Sequence, residues 1–164
     1  MALTGKAADA VDMMNAGIAA SQSTGATAYA PWYLANLAIA GAELGRFDEA
    51  TRCIGEAMAT ADTTGEKWCE AEIHRIAGEI ALLPPAPDMP RAEAHFERAL
   101  IGARQQQAKS FELRAAMSLA RLWRAQGKRR QALDLLAPIH DWFSEGLDTR
   151  DLKQATSLRD ELAS

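Results

Sequence analysis

The sequence predicts an all-α protein built as a stack of antiparallel helix pairs, on three observations. The first is composition. Of 164 residues, 48% are hydrophobic and only 6% aromatic, with a single Val at Val11 and eight Ile. A sheet needs β-branched and aromatic residues to cover its pleated faces, whereas the abundant Ala, Leu, Glu, Gln and Arg favour helices. The second is periodicity. Leu34, Leu37, Ala38 and Gly41 follow an i, i+3, i+4, i+7 stripe, and so do Ile73, Ile76, Ala77 and Ile80, and Ala116, Leu119, Ala120 and Trp123. The third is repetition. Ala50, Ala92 and Ala132 are each followed four residues later by a larger apolar residue, Ile54, Phe96 and Leu136, and seven residues later by Ala57, Ala99 and Ile139.

In order, helices are expected at about 5–22, 27–44, 46–62, 66–82, 90–106, 110–126, 128–143 and 149–163. The first carries Val11, Met14 and Ile18 and reads as half a repeat whose partner is missing. The second and third carry the Leu34 and Ala50 patterns and meet at Gly45, placed where a helix ends in a left-handed residue that Gly adopts without strain. Thr63-Thr64-Gly65 is a short polar joint to the fourth helix. The Pro84–Pro90 connection leads to the fifth, and Gln105-Gln106-Gln107 joins it to the sixth. Gly127 stands before the seventh, which Pro138 distorts. The eighth places Leu152, Ala155, Leu158 and Leu162 inward and reads as a cap. One domain of 1–164 follows, made of a half repeat at 5–22, repeats at 27–62, 66–106 and 110–143, and the capping helix.

These residues resemble the tetratricopeptide repeat family, in which a first helix with a small/Leu/aromatic set pairs with a second carrying Ala…Phe…Ala. Ala50, Ala92 and Ala132 match the first small position, Phe96 the aromatic, and Ala57 and Ala99 the last small position, while Trp123 fills the first-helix aromatic position. The spacings of 42 from Ala50 to Ala92 and 40 from Ala92 to Ala132 exceed the usual period of about 34. Runs such as Trp68–Arg75, Ala92–Leu100, Leu113–Trp123 and Leu135–Thr149 are also similar to the C-terminal repeat region of large bacterial cyclase-type and LuxR-type regulators. The resemblance implies a right-handed superhelical stack and a non-catalytic protein–protein interaction module within a larger signalling protein. It carries no cyclase activity to this chain.

In such a stack the first helix of each pair lines the concave side. The groove candidates are therefore Trp32, Asn36 and Glu43, then His74 and Arg75, then Arg114, Met117, Arg121 and Arg124. An Arg-rich groove suits a peptide or helix bearing acidic residues, because guanidinium forks pair with carboxylates. Asn36, Arg75 and Arg114 have the chemistry of a grip on a C-terminal carboxylate, but Ala35 and Ile39 stand where that grip would need polar groups, so it is not expected. Among the Trp residues, Trp123 is assigned to the core, Trp68 and Trp142 to helix ends, and Trp32 to an exposed anchor. The uncovered face of Val11, Met14 and Ile18 makes a homodimer through the first helix a second use of the module.

Charge offers an alternative. Residues 91–132 carry 10 basic and 3 acidic side chains between two acidic blocks. A nucleic-acid or acidic-partner surface would use Arg114, Arg121, Arg124, Lys128, Arg129 and Arg130, but no aromatic interleaving or recognition-helix motif accompanies them. Solvated faces with intramolecular pairing are the plainer expectation. A small-molecule sensor is the third reading. Catalytic signatures are absent: His74, His95 and His140 are distant in sequence, Glu72 and His74 lie on different helix faces, and there is no P-loop or nucleophile elbow. No enzyme, cofactor or metal is expected. Cys53 and Cys69 read as small buried residues. No apolar run reaches the roughly 20 residues of a membrane span, so a cytoplasmic protein with no membrane partner is expected.

Overall fold

The computed structural model describes residues 28–164 and, before them, Val11, Met13, Met14, Ala16, Gly17, Ala19 and Ala20. Seven helices have defined bounds: α1 (Ala30–Glu43), α2 (Phe47–Thr64), α3 (Glu70–Ala81), α4 (Met89–Gln105), α5 (Lys109–Ala125), α6 (Arg129–Asp141) and α7 (Arg150–Ala163). The described residues of the N-terminal stretch are helical too. The protein is all-α, and no strand occurs among the described residues. None of its helices is long and apolar enough, among those residues, to cross a membrane.

Local chemistry sets the boundaries. Pro31 opens α1, where a missing N–H costs nothing. Asp48 and Glu49 occupy the first turn of α2, facing the positive end of its dipole. Asp88 caps α4 by accepting a hydrogen bond from the Arg91 backbone N–H at 3.0 Å. Gly45 and Gly127, the expected left-handed stops, have φ of 73° and 78°. Gln107 takes the same conformation at φ 54° after α4, in a joint without a Gly. α6 runs through Pro138 to Asp141, and Ile139 stays buried.

Every helix packs on its chain neighbour, and α1, α3, α5 and α7 also pack on one another in series. Among the described residues α2 does not reach α4, nor α4 α6. The odd helices thus form one continuous wall, with the even helices on its other side. The small positions of the repeat explain the closeness: Ala50, Ala92, Ala132, Ala57 and Ala99 are fully buried, and Phe96 and Leu136 fill the space between them. Phe96 lies against α3 at Gly78, where a Cβ would stand 2.4 Å from its Cε1. Burying a side chain of this size stabilises by about 1.5–3 kcal/mol, and only Gly at 78 leaves room for it.

The core has two parts. One gathers Val11 with residues of α1, α2 and α3, including Ala35, Cys53, Ile73 and Ile76. The other gathers α4 to α7, with Leu113, Leu119, Trp123 and all four expected inward residues of the last helix, Leu152, Ala155, Leu158 and Leu162. Val11 corrects one expectation. It is buried within its own chain, so it presents no apolar edge to a partner. Ile18, grouped with it above, lies outside the described residues.

Candidate functional site

The odd helices bound a groove of about 480 Å³ to which no even helix contributes. Asn36 and Ile39 come from α1, Glu72 and Arg75 from α3, and Arg114, Met117, Ser118 and Arg121 from α5. Met14 closes one end, and Arg150, Asp151 and Gln154 of α7 close the other. The sequence candidates Asn36, Arg75, Arg114, Met117 and Arg121 are brought together here. Met14, assigned to a dimer face, lines this groove instead.

Four candidates lie elsewhere. Glu43 is exposed at the end of α1, away from the groove. Arg124 pairs with Glu161 of α7, one turn beyond the groove's last α5 residue. Trp32 is half-buried rather than an exposed anchor, because Trp68 covers it with ring centroids 5.5 Å apart. The exposed members of that aromatic set are Tyr29, edge-on to Trp68 at 5.6 Å, and Trp68 itself, whose Nε1–H donates to the Ala28 carbonyl at 3.3 Å. Trp142 does not seal a helix end; its ring is exposed beneath the Lys109 ammonium at 5.4 Å.

His74 is the fourth. It is buried on the opposite side of α3, facing α4, with its Nδ1 3.1 Å from Nδ1 of His95. One ring must donate and the other accept, so the hydrogen bond requires that the pair is not doubly protonated. The two residues are 21 apart, and helix packing joins them, which corrects their reading as distant groups. They border a small cavity of about 150 Å³ with Met58, Asp62, Glu70 and Arg98. Burial, then Arg98 and the facing His95, push His74 down to about 4. Burial, then Arg91 and Arg98, also lower His95. Among the described residues, no group of three or more His, Cys, Asp or Glu side chains is placed to hold a metal ion.

An ion-pair network organises the groove floor. Arg75 Nε and Nη2 donate to the two oxygens of buried Glu72 at 3.0 and 2.8 Å, and its Nη1 reaches Glu79 at 3.5 Å. Burial alone would lower the Arg75 pKa, but Glu72, together with Glu79 and Asp151, outweighs it and raises it. Arg114 bridges Asp151, at 2.6 Å, and Glu72, at 3.5 Å, tying α5 to both α7 and α3. Ser118 Oγ donates to Glu79 at 2.6 Å. Arg75 and Arg114 are therefore committed to carboxylates of the chain itself. Arg121 holds only a 3.4 Å hydrogen bond to Gln154, and Arg150 has no side-chain partner among the described residues.

The residues not foreseen as groove members are Glu72, Ser118, Arg150, Asp151 and Gln154. Arg150 and Gln154 carried a readable signal, since they lie four apart on one face of a helix whose inward stripe was already assigned. Away from the groove much of the basic stretch is engaged within the chain. Lys128 lies 3.7 Å from Glu93, Arg130 3.2 Å from Asp134, and Arg129 donates to the Glu161 carbonyl. Arg104 and Lys109 converge on buried Glu112 at 2.9 and 2.7 Å. Burial alone would raise the Glu112 pKa, but those two cations hold it below the ordinary carboxylate value. Cys53 and Cys69 are free thiols in the core, and burial raises Cys69 to about 11. No protein-family model matches the chain, and no curated protein matches it.

Proposed function

We propose that this chain is a non-catalytic helical-repeat module of the tetratricopeptide type, a solenoid of antiparallel helix pairs that docks a peptide or helix of a partner protein in its concave groove. The role fits the regulatory part of a larger bacterial signalling protein, as the resemblance of its repeat runs implies. The observation that carries the reading is the groove itself. Its walls come from every odd helix and from none of the even ones, as expected of the first helices of successive pairs in a stack. Its lining holds both apolar side chains, Met14, Ile39 and Met117, and charged ones, which suits a segment presenting both.

Nucleic-acid binding through Arg114–Arg130 is the weaker reading. Arg114, Arg124, Lys128 and Arg130 are paired with carboxylates of the chain, and Arg129 with a backbone carbonyl. Counterion release needs cations free to meet phosphates. The homodimer reading loses its basis at Val11, which is buried.

The test is selection of peptides from a random 12-residue phage library, using the wild-type chain and Asn36→Trp, a neutral substitution that fills the groove from half-buried ground. The expected result is a peptide set retained by wild type and lost by Asn36→Trp, with unchanged helical circular dichroism. Peptides held equally by both, or none held, would refute groove docking.

A further inference from the structure

We infer that the segment held in this groove carries a pair of carboxylates, which Arg121 and Arg150 bind from two different helices, beside an apolar side chain seated against Met14, Ile39 and Met117. The inference rests on the groove reading above and adds the chemistry of the occupant.

Four guanidinium groups line the groove against two carboxylates, Glu72 and Asp151. Arg75 is held by Glu72 and Glu79, and Arg114 by Asp151 and Glu72. An incoming acid would have to break those bonds, so these two arginines give shape to the groove rather than affinity. Among the described residues, Arg121 and Arg150 have no carboxylate within bonding distance. Gln154 stands with them and accepts from Arg121 through Oε1, which leaves its amide N–H groups to donate. This bank of the groove therefore offers exposed donors on α5 and α7, while its one carboxylate, Asp151, is paired with Arg114.

Guanidinium groups pair with carboxylates through parallel N–H donors, in stronger bonds than neutral groups make. Two of them on separate helices suit two acidic side chains, not one. The apolar lining is of different character: Met14 and Ile39 are half-buried, and Met117, one turn from Arg121 on α5, is buried in the core. Methionine and isoleucine there offer a flexible apolar seat. A free dicarboxylate would fill the donor bank and leave that seat empty, so the occupant is a chain segment presenting both. The rim arginines are exposed, so their charge acts on a bound acid without prior burial and is weakened by salt.

The experiment compares the phage-selected peptides of wild type with those of the double variant Arg121→Glu/Arg150→Glu. Both side chains are exposed, so the fold should hold, checked by thermal melting. Wild type should enrich peptides with two Glu or Asp near a Leu, Ile or Met. The double variant should bind them at least tenfold more weakly and should select Lys or Arg at the acidic positions. Glutarate at millimolar concentration should not displace the peptide more than sodium chloride of equal ionic strength. Peptides that need an open groove, being lost with Asn36→Trp, but show no acidic preference or no reversal in the double variant would overturn this inference and leave the groove reading standing. Absence of any groove-dependent peptide would overturn both. Specific displacement by glutarate would overturn the chain-segment occupant in favour of a small dicarboxylate.

Discussion

Lowering the pH from 7 to 5 should loosen the junction between α3 and α4 through the His74–His95 pair. In the folded protein His74 is pushed down from its ordinary value of 6.5 to about 4, chiefly because it is buried. Between those two values the unfolded chain binds a proton that the native chain refuses. Stability therefore rises with pH across this window and is lost as the pH falls from 6.5 toward 4. One pKa unit corresponds to about 1.4 kcal/mol. His74 alone thus accounts for a loss of about 2 kcal/mol between pH 7 and pH 5, and His95, lowered for the same reason, adds to it. The groups facing the pair are Arg91 and Arg98 on its own side, which oppose protonation, and Asp62 and Glu70 across the cavity. Carboxylates held low, such as Glu112 and Glu93, act chiefly below their ordinary value of 4.5, outside the pH 7–5 range measured. Urea denaturation at pH 7, 6 and 5 measures the effect, with His74→Leu as reference. The variant should lose the part of the slope due to His74, whatever its absolute stability. Equal slopes for wild type and variant across pH 5–7 would refute the account of His74 as a buried neutral group.

Two further substitutions probe packing and charge. Gly78→Ala puts a methyl group 2.4 Å from the Phe96 ring, which is fully buried and has no room to retreat; the expected cost is about 2–3 kcal/mol by chemical denaturation, relieved when Phe96→Leu is added. Glu72→Ala removes the carboxylate shared by Arg75 and Arg114. Orphaning a buried charge costs about 3–5 kcal/mol, but Arg75 keeps Glu79 and Arg114 keeps Asp151, so a loss of about 2 kcal/mol at pH 7 is expected.

Helix boundaries were readable because their causes are local. The expected 46–62 is observed as Phe47–Thr64 and the expected 128–143 as Arg129–Asp141, since Gly45, Gly65 and Gly127 punctuate the chain wherever it is placed. Burial at Ala50, Phe96 and Leu136 was readable for the same reason: a stripe on one face has to go inward. What could not be read depends on how helices rotate against each other. His74 sits next to the inward stripe of α3, and only the rotation of α4 decides that it meets His95 rather than the groove. Trp32 and Trp68 are 36 positions apart, so nothing local says which one covers the other. Arg150 escaped notice because its helix had been given a single task, covering the end of the core, while its first turn also reaches the groove.

The groove has one wall near residue 14 and another near residue 154. The terminal parts of a helical protein are the first to fray, each opening without the other. An occupant that touches both ends holds them to a common fate, because either end must release it before peeling away. Hydrogen exchange in the bound protein should therefore slow around Met14 and around Gln154 together.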